Sequence, residues 1–138
     1  MGNYTLGIKE LDNAIGGIRN GSNIMLVGPP MSKKEIILYN IMYHSVVINK
    51  NAVITVTTRE SAINILEWFK ENKMVLLPSR FGIIDCITKS IGGTAFETEN
   101  IKFSSSPVDL TGIGIRISQF FEDFLLKKKI PKILKTTF

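Results

Sequence analysis

Cysteine and histidine are almost missing from this chain, which holds one of each, Cys86 and His44. A single cysteine forms no internal disulfide, and in the apolar setting Ile83-Ile84-Asp85-Cys86-Ile87 it reads as a small core residue rather than a reactive thiol. A lone histidine with no second ligand candidate beside it reads as a partly buried packing residue, not a metal site. No apolar run approaches the roughly 18 residues that cross a bilayer, and the N-terminus lacks the basic-then-apolar order of a signal peptide. No membrane association and a cytoplasmic location are therefore expected. Aromatic residues are missing from the lysine-rich stretch 127–135, so a groove that stacks single-stranded nucleic acid is not indicated. Those lysines read as a solvated helix end whose cations offset the helix dipole. Nucleic acid is a weakly supported partner, resting on a net charge of +5 and a pI near 9.4.

With 44% hydrophobic and 21% charged residues, the 138-residue chain has the composition of one globular domain, spanning 1–138. It is long enough for a real core yet short for a complete nucleotide-hydrolysing domain.

The chain is organised around residues 22–35. An apolar run at 24–27 stops at Gly28 and gives way at Ser32 to a helical pattern, the sign of a buried strand feeding a helix through a tight loop. A phosphate-binding loop has this setting and the form G-x-x-x-x-G-K-[ST]. Its backbone N–H groups and helix N-terminus face the phosphates, its Lys reaches the β and γ groups, and its hydroxyl holds Mg²⁺. The candidate nucleotide-binding residues are Gly28, Pro29, Pro30, Met31, Ser32, Lys33, Lys34 and Glu35. Gly28 and Lys34 fit. Lys33 replaces the second Gly and adds a Cβ where backbone and phosphate meet. Glu35 replaces the hydroxyl, bringing a carboxylate towards the β-phosphate and misplacing any Mg²⁺ it bound.

Periodicity organises the rest. Ile8, Leu11 and Ile15 predict a short helix stopped at Gly16-Gly17. The helix after Ser32 runs to about Ile48 and is apolar nearly all round, which predicts cover on several sides. Residues 52–56 predict a buried strand, and 62–69 a helix with Ala62, Ile65, Leu66 and Phe69 on its core face and Trp68 towards the flank and solvent. Glu60 lies three residues after Thr57, so it completes a capping box or serves as a catalytic base. Residues 81–87 predict a third apolar run, whose Asp85 is a candidate for holding Mg²⁺ through water. Residues 88–103 read as a loop with perhaps a short strand at its end. Ser106 or Asp109 caps a helix with Pro107 in its first turn, and Leu110, Ile113, Ile117, Phe120, Phe121, Phe124 and Leu125 form its apolar stripe.

The order Gly-Ile-x-x-Leu-Asp, Gly-Gly, Gly-Ser, apolar strand, Gly-Pro-Pro resembles the opening of KaiC-like and archaeal RadA-paralogue ATPases of the RecA superfamily. The resemblance implies an α/β fold, a truncated RecA-like P-loop domain with a mainly parallel sheet of about four strands flanked by helices. It covers the whole chain and roughly the first half of a family domain. It places Arg59 and Glu60 at a pair of acidic positions, makes Asp85 a structural part of the sheet edge, and aligns Thr136 with the Mg²⁺-holding Asp. With Lys33, Glu35, Arg59 and Thr136 all altered, it implies a degenerate domain without ATPase activity that works through protein contacts, as an accessory or regulatory protein. A protein that binds ATP with little hydrolysis is the alternative, and Mg²⁺ is not supported. The implied partners are a second copy in a homodimer or an intact RecA/KaiC-like paralogue. Because the family strand that follows would lie beside the stretch 24–27, the final strand is expected to move in there instead, with an edge-mediated dimer.

Overall fold

The computed structural model describes residues 4–130 and 132–137, so the positions of Pro131 and Phe138 in the final segment lie outside the described residues. Helix α1, Lys9–Ile15, ends where Gly16 adopts a left-handed φ of 72°, the stop that the Gly16-Gly17 pair predicts. Helix α2, Lys34–Tyr43, continues through a π-helical turn at His44–Ile48. Strand β1, Ala52–Thr57, leads to helix α3, Ala62–Glu71, and a short 3₁₀ turn then precedes strand β2, Phe81–Asp85. Strand β3 is Ile101–Phe103, helix α4 is Leu110–Phe121 with a further π-helical turn at Glu122–Lys127, and strand β4 is Ile133–Thr137. The fold is α/β, with helices on both faces of one sheet.

The sheet has the order β3-β2-β1-β4 and is parallel throughout. Its central strand β1 is buried at all six positions, as expected of a parallel strand covered on both faces. Alternation along β1 and β2 divides the core. Val53 and Ile83 face Met42, Ile65 and Phe69 of α2 and α3, whereas Ile54 and Ile84 face Phe120 and Phe124 of α4 and the turn after it. Gly82 in β2 lets the second layer close up, because a Cβ there would meet the Phe120 ring at 2.5 Å.

The stretch 24–27 departs from the expectation. Residues 22–29 belong to no strand, and Met25 and Val27 are both 84% exposed. β4 does not move in beside it; β4 pairs instead with β1, in the register Thr55 opposite Thr136. The physical reason is partner choice. Beside β1, β4 finds a fully buried neighbour and closes Ile133 onto the Phe120–Phe124 layer. The sheet thus has four strands, but the fourth is β3 rather than the stretch before Gly28.

Three local readings also change. α2 is not covered all round, since Ile36 and Ile37 lie on its exposed side while Tyr39, Ile41 and Met42 are buried. Trp68 keeps the flank position expected of it but is half-buried there, packed 4.6 Å from the Tyr39 ring and 5.3 Å from the Phe69 ring. Of the proposed stripe on α4, Leu110 and Leu125 are exposed, and Asp109 is the cap, accepting from the Gly112 N–H at 3.0 Å.

Candidate functional site

Residues 28–35 form a loop that delivers the chain into α2. Ser32 N–H donates to the Pro29 carbonyl, Pro30 follows Pro29, and Met31 has a φ of 64°, the pattern of a type II turn with Met where Gly is favoured. Lys33 is the residue before α2 and has a φ of 59°. The left-handed geometry that favours Gly at this position is therefore kept, although the side chain is a lysine. The Ser32 side chain lies over Gly28, so a Cβ on Gly28 would stand 2.7 Å from the Ser32 hydroxyl.

The charged groups of the loop are engaged with one another. The Glu35 carboxylate lies 3.9 Å from the Lys34 ammonium and 3.5 Å from the Arg59 guanidinium. Two positions that the resemblance marks as altered thus carry opposite charges and pair across 24 residues of sequence. Partial exposure limits this pair to about 0–1 kcal/mol of stability. Lys34 and Arg59 thus share one carboxylate. Burial first, and then the carboxylates of Glu60 and Glu35, push the Tyr39 hydroxyl up from its ordinary value and keep it neutral.

Glu60 is exposed, and its carboxylate accepts from the Asn64 side-chain amide at 3.2 Å. The cap of α3 is Ser61, whose hydroxyl accepts from Asn64 N–H; between Thr57 and Glu60 only half of the box forms, the Glu60 N–H donating to the Thr57 hydroxyl at 3.2 Å while the Glu60 carboxylate turns to Asn64. Thr57 stays in β1 and uses its hydroxyl to close the turn, donating to the Glu60 carbonyl at 2.6 Å.

Asp85 is filled by structural bonds. Its carboxylate accepts from the N–H groups of Ala62, Ile87 and Thr88 at 2.8–2.9 Å and from the Thr88 hydroxyl at 2.6 Å, tying the end of β2 to the start of α3. Burial pushes this carboxyl up, but the Thr88 hydroxyl and the three N–H groups outweigh it and hold it below the usual range. Thr136, which the resemblance aligns with a Mg²⁺-holding Asp, is buried with its hydroxyl 2.9 Å from that of Thr55. Glu35, Asp85 and Thr136 therefore do not fit a Mg²⁺ site, and among the described residues no group of three His, Cys, Asp or Glu stands where a metal ion fits. No helix among them is long and apolar enough to cross a membrane.

The remaining candidates pack. His44 Nε2 lies 3.1 Å from the Thr5 hydroxyl. Cys86 is fully buried, and its thiol is pushed up to about 11 by burial, then by the Asp85 and Asp109 carboxylates, against a lowering hydrogen bond with Ser104. Lys127 pairs with Asp123 at 3.1 Å at the exposed helix end, whereas Lys128 is half-buried, pairing with Glu99 at 3.1 Å and lying over the Phe124 ring.

What periodicity did not reveal is a cavity of about 1190 Å³ beside the loop. It is lined by β4 from Leu134 to Thr137, by the stretch 23–26 and by Leu38, Tyr39 and Ile41 of α2. Lys34, Glu35, Arg59 and Glu60 also line it. The apolar run before Gly28 was its one sequence signal. No family model matches the chain, and neither a curated protein nor a solved structure matches it.

Proposed function

We propose that this chain is a degenerate RecA/KaiC-like P-loop domain that turns over no ATP and acts through protein contacts, as an accessory or regulatory protein. The pairing of Glu35 with both Lys34 and Arg59 carries this reading. Phosphoryl transfer is positioning plus charge stabilisation, and it needs a free lysine, a hydroxyl and a carboxylate acting together on one metal-bound phosphate. Here the lysine faces a carboxylate, the hydroxyl is absent and Thr136 is bound within the sheet. The contact partners that the resemblance implies are a second copy or an intact paralogue, meeting the chain in the cytoplasm.

A second reading, ATP held without hydrolysis, draws on Gly28, the N-terminus of the ten-residue helix α2 and the cations at Lys33 and Lys34. The variant Lys33→Gly with Glu35→Thr separates the parts of the site. It relieves the left-handed strain at position 33 and frees Lys34. By calorimetry it is expected to bind ATP at least tenfold more tightly than the parent, while hydrolysis stays at background. Robust ATPase in this double variant would show that Arg59 and Thr136 are not limiting and would sink the reading.

A further inference from the structure

We infer that Asn20 is a site of spontaneous deamidation, a covalent change that turns its side-chain amide into a carboxylate and lengthens the main chain ahead of the loop. Asparagine is among the least durable residues chemically. Its reaction uses the main-chain nitrogen of the next residue as nucleophile, so a side chain on that residue stands in the way. Asn20 is the chain's one asparagine followed by glycine.

The fold leaves this pair free to react. Asn20 and Gly21 form the tip of a turn closed by the Ser22 N–H, which donates to the Arg19 carbonyl at 3.2 Å, and both tip residues are exposed. Gly21 has a φ of 82°, as the third residue of a type II turn requires. Apart from its chain neighbours, nothing lies within 4 Å of the place where a Cβ on Gly21 would stand, so the peptide unit has room to turn. Among the described residues, neither the Asn20 side-chain amide nor the Gly21 N–H has a hydrogen-bond partner. Other asparagines are held. Asn40, Asn49, Asn72 and Asn100 each donate their side-chain amide to a main-chain carbonyl, and each is followed by Ile or Lys.

The step balances with water as its only co-reactant. The Gly21 nitrogen, as it loses its proton to base, attacks the Asn20 Cγ. A bond from Cγ to that nitrogen forms, the bond from Cγ to Nδ2 breaks, and ammonia leaves with the proton, giving a cyclic imide. Water then opens the imide at either carbonyl. Opening at the side-chain carbonyl gives aspartate, and opening at the main-chain carbonyl gives isoaspartate, whose backbone runs through Cβ. Both products place a carboxylate beside Arg19, between the Tyr4–Ile18 bridge and the stretch that lines the cavity from Ser22 onward.

The test incubates the purified full chain in mildly alkaline buffer and follows each asparagine by peptide mass spectrometry. Conversion at Asn20 is expected to run about tenfold or more ahead of every other asparagine, to rise with pH, and to give isoaspartate and aspartate as separable products of equal mass. Asn20→Gln should abolish it, and Gly21→Ala should slow it about tenfold or more. Because alanine is strained at a left-handed φ, the Gly21→Ala comparison is repeated in urea, where the turn plays no part. The parent should react in buffer within about threefold of its rate in urea. Conversion at Asn20 no faster than elsewhere, aspartate without isoaspartate, an unslowed Gly21→Ala in urea, or a parent protected by folding more than about tenfold would each overturn the assignment.

Discussion

Asp85→Ala is expected to destabilise the fold by about 3–5 kcal/mol, because it strips the acceptor from three N–H groups, one buried and two half-buried, and a buried one left unpaired costs about 1–3 kcal/mol. Those donors belong to Ala62 at the start of α3 and to Ile87 and Thr88 after β2, so one side chain ties a helix to the sheet. Against a total stability of roughly 5–15 kcal/mol, the loss corresponds to a fall in Tm of roughly 10–20 °C by calorimetry. Asp85→Asn should fall in between, since one oxygen still accepts while its amide faces the Ala62 N–H donor to donor. The pH dependence has a definite sign. The folded-state pKa lies below the ordinary carboxylate value, so the stabilisation is present above the ordinary range and is lost as pH falls through the folded pKa. The gap in stability between the parent and Asp85→Asn should therefore shrink in acid. A Tm for Asp85→Ala within 3 °C of the parent would contradict this role.

Phe120→Ala ranks beside it. The ring is 1% exposed, lies on Gly82 and stacks on Phe124 with centroids 5.8 Å apart. Its removal opens a cavity between α4 and the sheet, at an expected cost of about 3–5 kcal/mol. Gly82→Ala attacks the same contact from the other side, driving a methyl group into the ring at an expected cost of about 1–3 kcal/mol. Because the two residues share one contact, combining the changes should cost less than their sum. Chemical denaturation of the two single variants and the double variant measures this, and strict additivity would show that Gly82 is not there for the ring.

The sheet was legible where burial is symmetric. β1 and β2 are mostly apolar runs, the pattern of strands in a parallel sheet covered on both faces. The end of α1 was legible because Gly16 supplies a left-handed conformation that few residues adopt cheaply. The stretch 24–27 misled for a related reason. Its composition is that of a strand, but a strand also needs a neighbour, and β4 pairs with β1 instead. At the start of α3 two hydroxyl residues compete for one cap, and the choice of Ser61 over Thr57 follows from Thr57 remaining the last residue of β1. In the candidate site, each altered position was visible singly. The Glu35–Arg59 pair was not, because complementary charges on separate elements meet only once the loop and the end of β1 are placed.

The proposed lack of ATP turnover is tested most directly by a steady-state hydrolysis assay on the purified chain with Mg²⁺, run beside Lys34→Ala. With Lys34 drawn to Glu35, no hydroxyl at position 35 and Thr136 bonded to Thr55, both proteins should give the same rate, indistinguishable from buffer. A turnover near ~1 s⁻¹, the low end of ordinary kinase rates, that vanishes in Lys34→Ala would contradict it and make this loop a working phosphate site.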